Sequence, residues 1–293
     1  MGIQKESGMD RFGCYELCVQ SPRFVAPFLR AVHGGEPVAL REDFCGTGAI
    51  SRRWVEEGRR VGQRWRAVGV DMDAEVIERA RAENAAAGMG EEIRLICGDV
   101  MEDTGDAGGN TEDAKPSSVA RGSQDDGCDV VFVGNFSIGY IHERPVLERY
   151  LRASRERLGL GNAGFGGGVF VCDTYTGSGA FKEGSVTRTH PGRGHEVVRY
   201  TWEQREADVL TAMVTNVLHF QVEVDGEVTA RFPDAFVYRW RLWTIPELRE
   251  AMMASGFAAT EVYQDVGPHA LPMGHGREMR ESGIVCVVGR EKA

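Results

Sequence analysis

The chain has 293 residues, long enough for one large domain or two small ones, and its 42% hydrophobic and 27% charged content is that of an ordinary globular protein. A formal net charge of −10 speaks against a nucleic-acid backbone or an anionic membrane as its partner, and no run nears the roughly 18 apolar residues of a membrane span. The seven cysteines include no CxxC pair, their odd number fits no disulfide framework, and the first residues, MGIQKESGMDRFG, carry no apolar signal core, so a reduced, cytoplasmic protein is expected.

Residues 1–35 hold one or two short helices, with the apolar positions in YELCVQSPRFVAPFLRAV. Strand-like and helix-like segments then alternate. PVALREDF (37–44) is a strand, AISRRWVEEG (49–58) a helix ending at Gly58, WRAVGVD (65–71) a second strand, and AEVIERARAENAAAG (74–88) a helix stopped by Gly88. EIRLICGD (92–99), CDVVFVGN (128–135) and GGVFVCDTY (167–175) supply strands three to five, with the helix RPVLERYLRASRERLG (144–159) before the last. Short Val- and Ile-rich runs separated by helices predict βαβ units and a parallel sheet buried on both faces. The stretch 102–127 is polar and Gly- and Ser-rich, has almost nothing to bury, and is expected to be a disordered insertion.

After Tyr175 the pattern changes. HEVVRYTWEQ, VLTAMVTNVLHFQVEVDG and EVTARFPDAFVYRWRLWT are extended and partly alternating, with a turn at Asp225-Gly226, and predict an antiparallel lid over 176–243. Thr244 caps a helix over 245–257, with Pro246 in its first turn and Gly256 as its stop, and 259–264 and 282–290 are two closing strands. The sum is an α/β fold: a core over 36–175, completed by 244–293, with a seven-stranded mixed, doubly wound sheet and an inserted lid.

Three features fall at the ends of consecutive strands. Strand one runs into Gly46-Thr47-Gly48 and then a helix, the setting in which glycines admit a ligand to the backbone and a helix N-terminus offers free N–H groups. Asp71 ends strand two, where a carboxylate accepts ribose hydroxyls, and Asp99 ends strand three, where it meets the edge of an adenine. Together they predict an adenosine-containing cofactor in the crevice at the carboxyl ends of the strands. The loop alone leaves a dinucleotide open, because Gly46-Thr47-Gly48-Ala49-Ile50-Ser51 differs from G-x-G-x-x-G only in its last residue. The histidines show no pairing at metal-ligand spacing, and no metal is expected.

These residues resemble the class I S-adenosylmethionine-dependent methyltransferases. Glu42 matches the acid of the family's first motif, with Cys45, Gly46, Thr47 and Gly48 in its loop, and the first motif glycine falls at Phe44. Asp71 and Met72 in AVGVDMD, Asp99 and Val100 in CGDV, and Asn135 and Phe136 in VGNFSIGY resemble the later cofactor-binding motifs. YELCVQSP, LREDFCGT, NFSIGY and YRWRLWTIPELRE resemble an uncharacterised small-methyltransferase branch. The resemblance implies a Rossmann-like sheet, S-adenosylmethionine as cofactor, a small-molecule acceptor, and residues 1–35 as a helical cover in which Tyr15 and Gln20 close over the site.

Methyl transfer asks mainly for alignment and exclusion of water, with a base only where the acceptor arrives protonated. Tyr140 and His142 in GYIHERP are the candidate catalytic residues, Tyr140 with Asn135 and Phe136 beside the sulfonium and His142 as the best-placed base, and Arg241 and Trp243 in RWRLWT are candidates to bind the acceptor from the lid. Phe44 is expected to pack beneath the loop. The competing readings are a nicotinamide-dependent oxidoreductase and a non-catalytic S-adenosylmethionine-binding regulatory protein.

Overall fold

The computed structural model describes residues 8–101, 127–159, 167–274, 278 and 280–292; the 102–127 segment, Gly127 apart, lies outside them, as does His275. At the centre is β1 (Ala39–Asp43), parallel to β2 (Arg66–Asp71) on one side and β4 (Val130–Val133) on the other. β3 (Ile93–Cys97) continues beyond β2, and β5 (Val169–Gly177) beyond β4, both parallel. β11 (Ser282–Arg290) joins β5 antiparallel and β10 (Ala259–Tyr263) closes the edge, so the seven strands run β10-β11-β5-β4-β1-β2-β3.

The alternation of side chains along each strand decides what covers each face. Val130 and Phe132 of β4, with Val169 and Val171 of β5, pack against α2 (Pro22–His33) and α3 (Ala49–Arg60). Val131, Val133, Phe170 and Cys172 point the other way, against α5 (Arg144–Gly159) and α6 (Ile245–Ala254). α4 (Ala74–Ala86) packs beside β2 and β3. α2 is thus a layer of the core, while α1 (Arg11–Cys18) alone sits over the strand ends with the lid. Thr244 caps α6 in a full capping box with Glu247, as its sequence indicates.

The helix expected to stop at Gly58 continues to Arg60. Gly58 is there for room: a Cβ would lie 2.7 Å from Trp65 Cβ, and Trp65 stacks at a tilt on buried Trp54, with ring centroids 4.9 Å apart. Gly58→Ala is therefore expected to destabilise the fold by about 1–3 kcal/mol through overpacking, although alanine is the better helix former by about 1 kcal/mol. Urea denaturation reads the sign directly; a stabilised variant would show that Trp65 yields at little cost.

β6 (Gly184–Pro191), β7 (Glu196–Asp208), β8 (Met213–Val224) and β9 (Glu227–Arg241) form a separate four-stranded antiparallel meander. Its β8–β9 hairpin turns on Asp225 and Gly226, with φ of 52° and 85°, as a tight hairpin requires. Val198, Leu218, Phe220 and Val222 of its inner face pack on Cys14 of α1. Among the described residues, no helix is long and apolar enough to cross a membrane.

Candidate active site

A cavity of about 610 Å³ opens at the carboxyl ends of β1–β4, above the point where the strand order reverses. Its floor is the loop after β1. Phe44, Gly46 and Gly48 all have positive φ, 56°, 54° and 74°, a conformation that costs a non-glycine residue about 1–2 kcal/mol. The loop is anchored from β2: the Gly46 N–H donates to Asp71 Oδ2 at 2.8 Å, while Asp71 Oδ1 accepts from the Asp73 N–H at 3.0 Å. Burial pushes the Asp71 carboxyl up, opposed by these backbone bonds. Asp99 Oδ1 accepts the Met101 N–H at 2.8 Å. Above Gly46 there is open space, since an added Cβ would meet only Gln20 Nε2, at 3.9 Å.

The two acids that end β1 serve the interior. Alternation sends them to opposite faces. Asp43 is wholly buried and accepts from Arg41 Nε at 2.8 Å and from the Tyr150 hydroxyl at 2.6 Å. Glu42 turns toward α3, where one of its carboxylate oxygens accepts from the Ser51 N–H at 2.9 Å and the Ser51 hydroxyl at 2.6 Å. Burial pushes Glu42 up to about 7 from an ordinary 4.5, so its protonated form is favoured in the folded chain. That contribution to stability is complete below about pH 4.5 and is lost as the pH rises through about 7, by roughly 3 kcal/mol. Glu42→Gln, a neutral isostere, is expected to flatten this loss and to be more stable than the parent at pH 8. Denaturation midpoints at pH 5, 6.5 and 8 check it, and parallel curves for the two proteins would refute the assignment.

The cavity wall is aromatic. Phe44 stacks on Tyr140 (centroids 5.8 Å, planes 20° apart), and Tyr140 meets Tyr238 and Trp240 edge-on at 6.4 and 6.0 Å. Phe236, Tyr238 and Trp240 occupy alternate positions of β9, and Tyr238 stacks on Trp240 at 4.5 Å. α1 closes the roof: Tyr15 packs on Phe236 at 5.0 Å, and Glu16 accepts from the Thr47 hydroxyl and pairs with Arg52 at 3.2 Å.

A second cavity of about 540 Å³ lies between the lid and the ends of β4, β5 and β11, and it shares Tyr15, Gln20, Asn135 and Tyr238 with the first. Asn135 and Phe136 form the ridge between them, with φ of 54° and 63°. Asp173 of β5 holds that ridge: its carboxylate accepts the Asn135 N–H at 3.0 Å and the Phe136 N–H at 2.7 Å. Burial pushes Asp173 up to about 6. Charge-assisted bonds of this kind offset the strain of two non-glycine residues in the left-handed region.

Of the residues predicted for the site, Tyr15, Gly46, Thr47, Asp71, Met72, Asp99, Asn135, Tyr140 and His142 line the first cavity. Phe44 does so too, rather than packing beneath the loop. The structure moves the others away. Glu42 is turned to Ser51. The Cys45 thiol faces Gly69, where a Cβ would approach it to 2.9 Å. Gly48 starts α3, and Val100 is core. Phe136 faces the second cavity, against Tyr175. Arg241 and Trp243 line neither cavity: the guanidinium lies 3.9 Å over the Trp243 ring, donates to the His142 carbonyl at 2.9 Å and pairs with Glu247 at 3.2 Å. Trp243 is buried and donates Nε1–H to the Ile141 carbonyl at 2.8 Å, so the pair fastens lid to core. Asp173 is absent from the residues predicted for the site, though it bears the same mark as Asp71 and Asp99, an acid toward the end of a parallel strand. Phe236 and Tyr238 are absent too, although the alternation of FVYRW places them opposite Arg239 and Arg241.

No protein-family model and no curated protein sequence matches the chain. Solved structures do. DesVI of Streptomyces venezuelae superposes with a TM-score of 0.62 at 18% identity, over 97% of this chain and 99% of that one. A S-adenosylmethionine-dependent methyltransferase from Clostridium acetobutylicum gives 0.61 at 16%, over 95% and 96%. The sugar N-methyltransferase KedS8 from a Streptoalloteichus species gives 0.60 at 18%, over 100% and 96%. Strand order, antiparallel last strand and inserted lid define a Rossmann-like α/β fold. This chain has that fold in the form found in S-adenosylmethionine-dependent methyltransferases.

Proposed function

We propose that the chain binds S-adenosylmethionine in the first cavity and transfers a methyl group to a small-molecule acceptor in the second. The observation that carries this reading is the meeting of the two cavities at Tyr15, Gln20, Asn135 and Tyr238, directly beside the loop that Asp71 anchors. When bound, the cofactor supplies a methyl group already activated on a sulfonium. The residues present fit it. Each Asp71 oxygen keeps a lone pair for ribose hydroxyls beyond its backbone bond. Met72, Val76 and Met101 offer an apolar slot beside Asp99 for an adenine. The faces of Phe44 and Tyr140 favour a positive charge. Gln20 is 7% exposed and its Oε1 has no hydrogen-bond partner among the described residues, so it stands ready for a donor on a ligand. α1 and the lid keep water from the junction.

An antiparallel strand beside β5 departs from the classical dinucleotide sheet and weighs against the nicotinamide reading. The size of the two cavities, about 610 and 540 Å³, and the net charge of −10 favour a small acceptor over a nucleic acid. Calorimetric titration with S-adenosylmethionine and S-adenosylhomocysteine, with NAD as the control, tests the proposal. Both adenosyl ligands are expected to bind at micromolar concentration and NAD not at all; binding of NAD alone would transfer the cavity to a dinucleotide enzyme.

A further inference from the structure

The second cavity carries more than its size. Among the described residues its wall holds three charged side chains: Asp173, Arg188 and Arg280. Asp173 is at the junction, since it accepts the Asn135 N–H, and no arginine or lysine pairs with it among the described residues. A buried carboxylate without a counter-cation, lining a cavity, is best completed by a cation from the ligand. Arg188 is at the other end. It stands on β6, the strand of the lid farthest from β9, directly opposite Tyr200, and it has no ionic partner among the described residues. Arg280 already pairs with Asp265. Arg188 and Tyr238 stand three strand spacings apart across the meander, about 14 Å, and are offset along it as well, since Arg188 pairs with Tyr200 whereas Tyr238 lies in line with Asn216, Gln204 and Gly184. Between the two charges the wall is Tyr200, Trp202 and Leu218.

We propose that the acceptor is an elongated amine-bearing acid with an aromatic or apolar middle, its amine at Asp173 and its carboxylate at Arg188. This rests on the methyl-transfer reading above and deepens it. A carboxylate at Arg188 gains a forked, charge-assisted pair of hydrogen bonds, which a neutral amide or sugar hydroxyl does not reproduce. At the junction, the ammonium gives a proton to the Asp173 carboxylate. The neutral nitrogen then donates its lone pair to the methyl carbon, and the carbon–sulfur electron pair stays on sulfur. The products are an N-methylammonium and S-adenosylhomocysteine. Asp173 is a stronger base than an exposed carboxylate, because burial raises it to about 6 and still leaves it ionised at neutral pH.

Binding to the complex with S-adenosylhomocysteine tests the proposal without turnover. The probes are 4-(aminomethyl)benzoate, its carboxamide, 4-methylbenzoate and glucosamine. The amino acid probe is expected to bind at least tenfold more tightly than each of the other three. Arg188→Ala should erase the tenfold gap between acid and carboxamide while S-adenosylhomocysteine affinity, read in the same titration, stays put. Arg188 lies on an exposed edge strand, so the variant should keep its fold, and a melting curve verifies this. Equal binding of acid and carboxamide, preference for glucosamine, or no binding of the acid by a protein that holds S-adenosylhomocysteine would overturn the inference alone. Failure to hold S-adenosylhomocysteine at all would overturn the methyl-transfer reading and this one with it.

Discussion

Asp71→Ala is expected to weaken S-adenosylhomocysteine binding by about 2–4 kcal/mol, a loss of roughly 30- to 1,000-fold in Kd. Two effects add. The carboxylate no longer receives ribose hydroxyls, and the Gly46 N–H, bonded to it at 2.8 Å, loses the partner that sets the floor of the cavity. Asp71→Asn separates them. Its amide oxygen still accepts one backbone N–H, so the loop should hold while the charge is gone, and an intermediate loss is expected. Calorimetric titration of both variants measures the binding, and melting of the ligand-free proteins checks the loop. An unchanged Kd in the alanine variant would remove Asp71 from the site.

The second large effect is on stability. Asp43→Ala is expected to cost about 3–5 kcal/mol, because it leaves the Arg41 guanidinium in a dry interior without the carboxylate 2.8 Å away. Tyr150→Phe takes only the 2.6 Å hydroxyl bond from the same carboxylate and should cost less, about 1.5–3 kcal/mol. Urea denaturation ranks the two. Equal losses would mean that the other partners of Arg41 compensate for the lost carboxylate. The comparison also bears on the proposed function, since Phe44 and the loop that floors the first cavity follow Asp43 directly. A β1 that shifts should move the loop, so cofactor affinity in Asp43→Ala is a second readout.

These two aspartates show how alike residues in a sequence part company in a fold. Asp43 and Asp71 each end a parallel strand of the same sheet. One faces Tyr150 of a covering helix and is sealed; the other faces the crevice and keeps lone pairs free. Nothing in LREDFCGT or AVGVDMD separates the two, because strand ends are read from hydrophobicity while the direction of the last side chain depends on register and on the helix above it. Glu42 illustrates the same point from the opposite face, where its bonds to Ser51 join the loop to the helix that follows.

The pattern of short Val- and Ile-rich strands with amphipathic helices between them, the glycine turn, the capping box at Thr244 and the switch to alternating strands after Tyr175 were all determined by local sequence, because strand and helix periods are properties of neighbouring residues. Which of the candidate residues face a cavity, and which others join them, was decided by tertiary structure. Tyr15 reaches the cavity by way of the helix that the lid holds down. Arg188 and Asp173 line one cavity only because a four-stranded meander folds back over the sheet. Arg241 and Trp243 are fasteners rather than ligand contacts because β9 presents Phe236, Tyr238 and Trp240 inward instead. Long-range pairing sets these partners, and the free energy that selects them, burial of apolar area with satisfied polar groups, is summed over contacts that no short stretch of the chain contains.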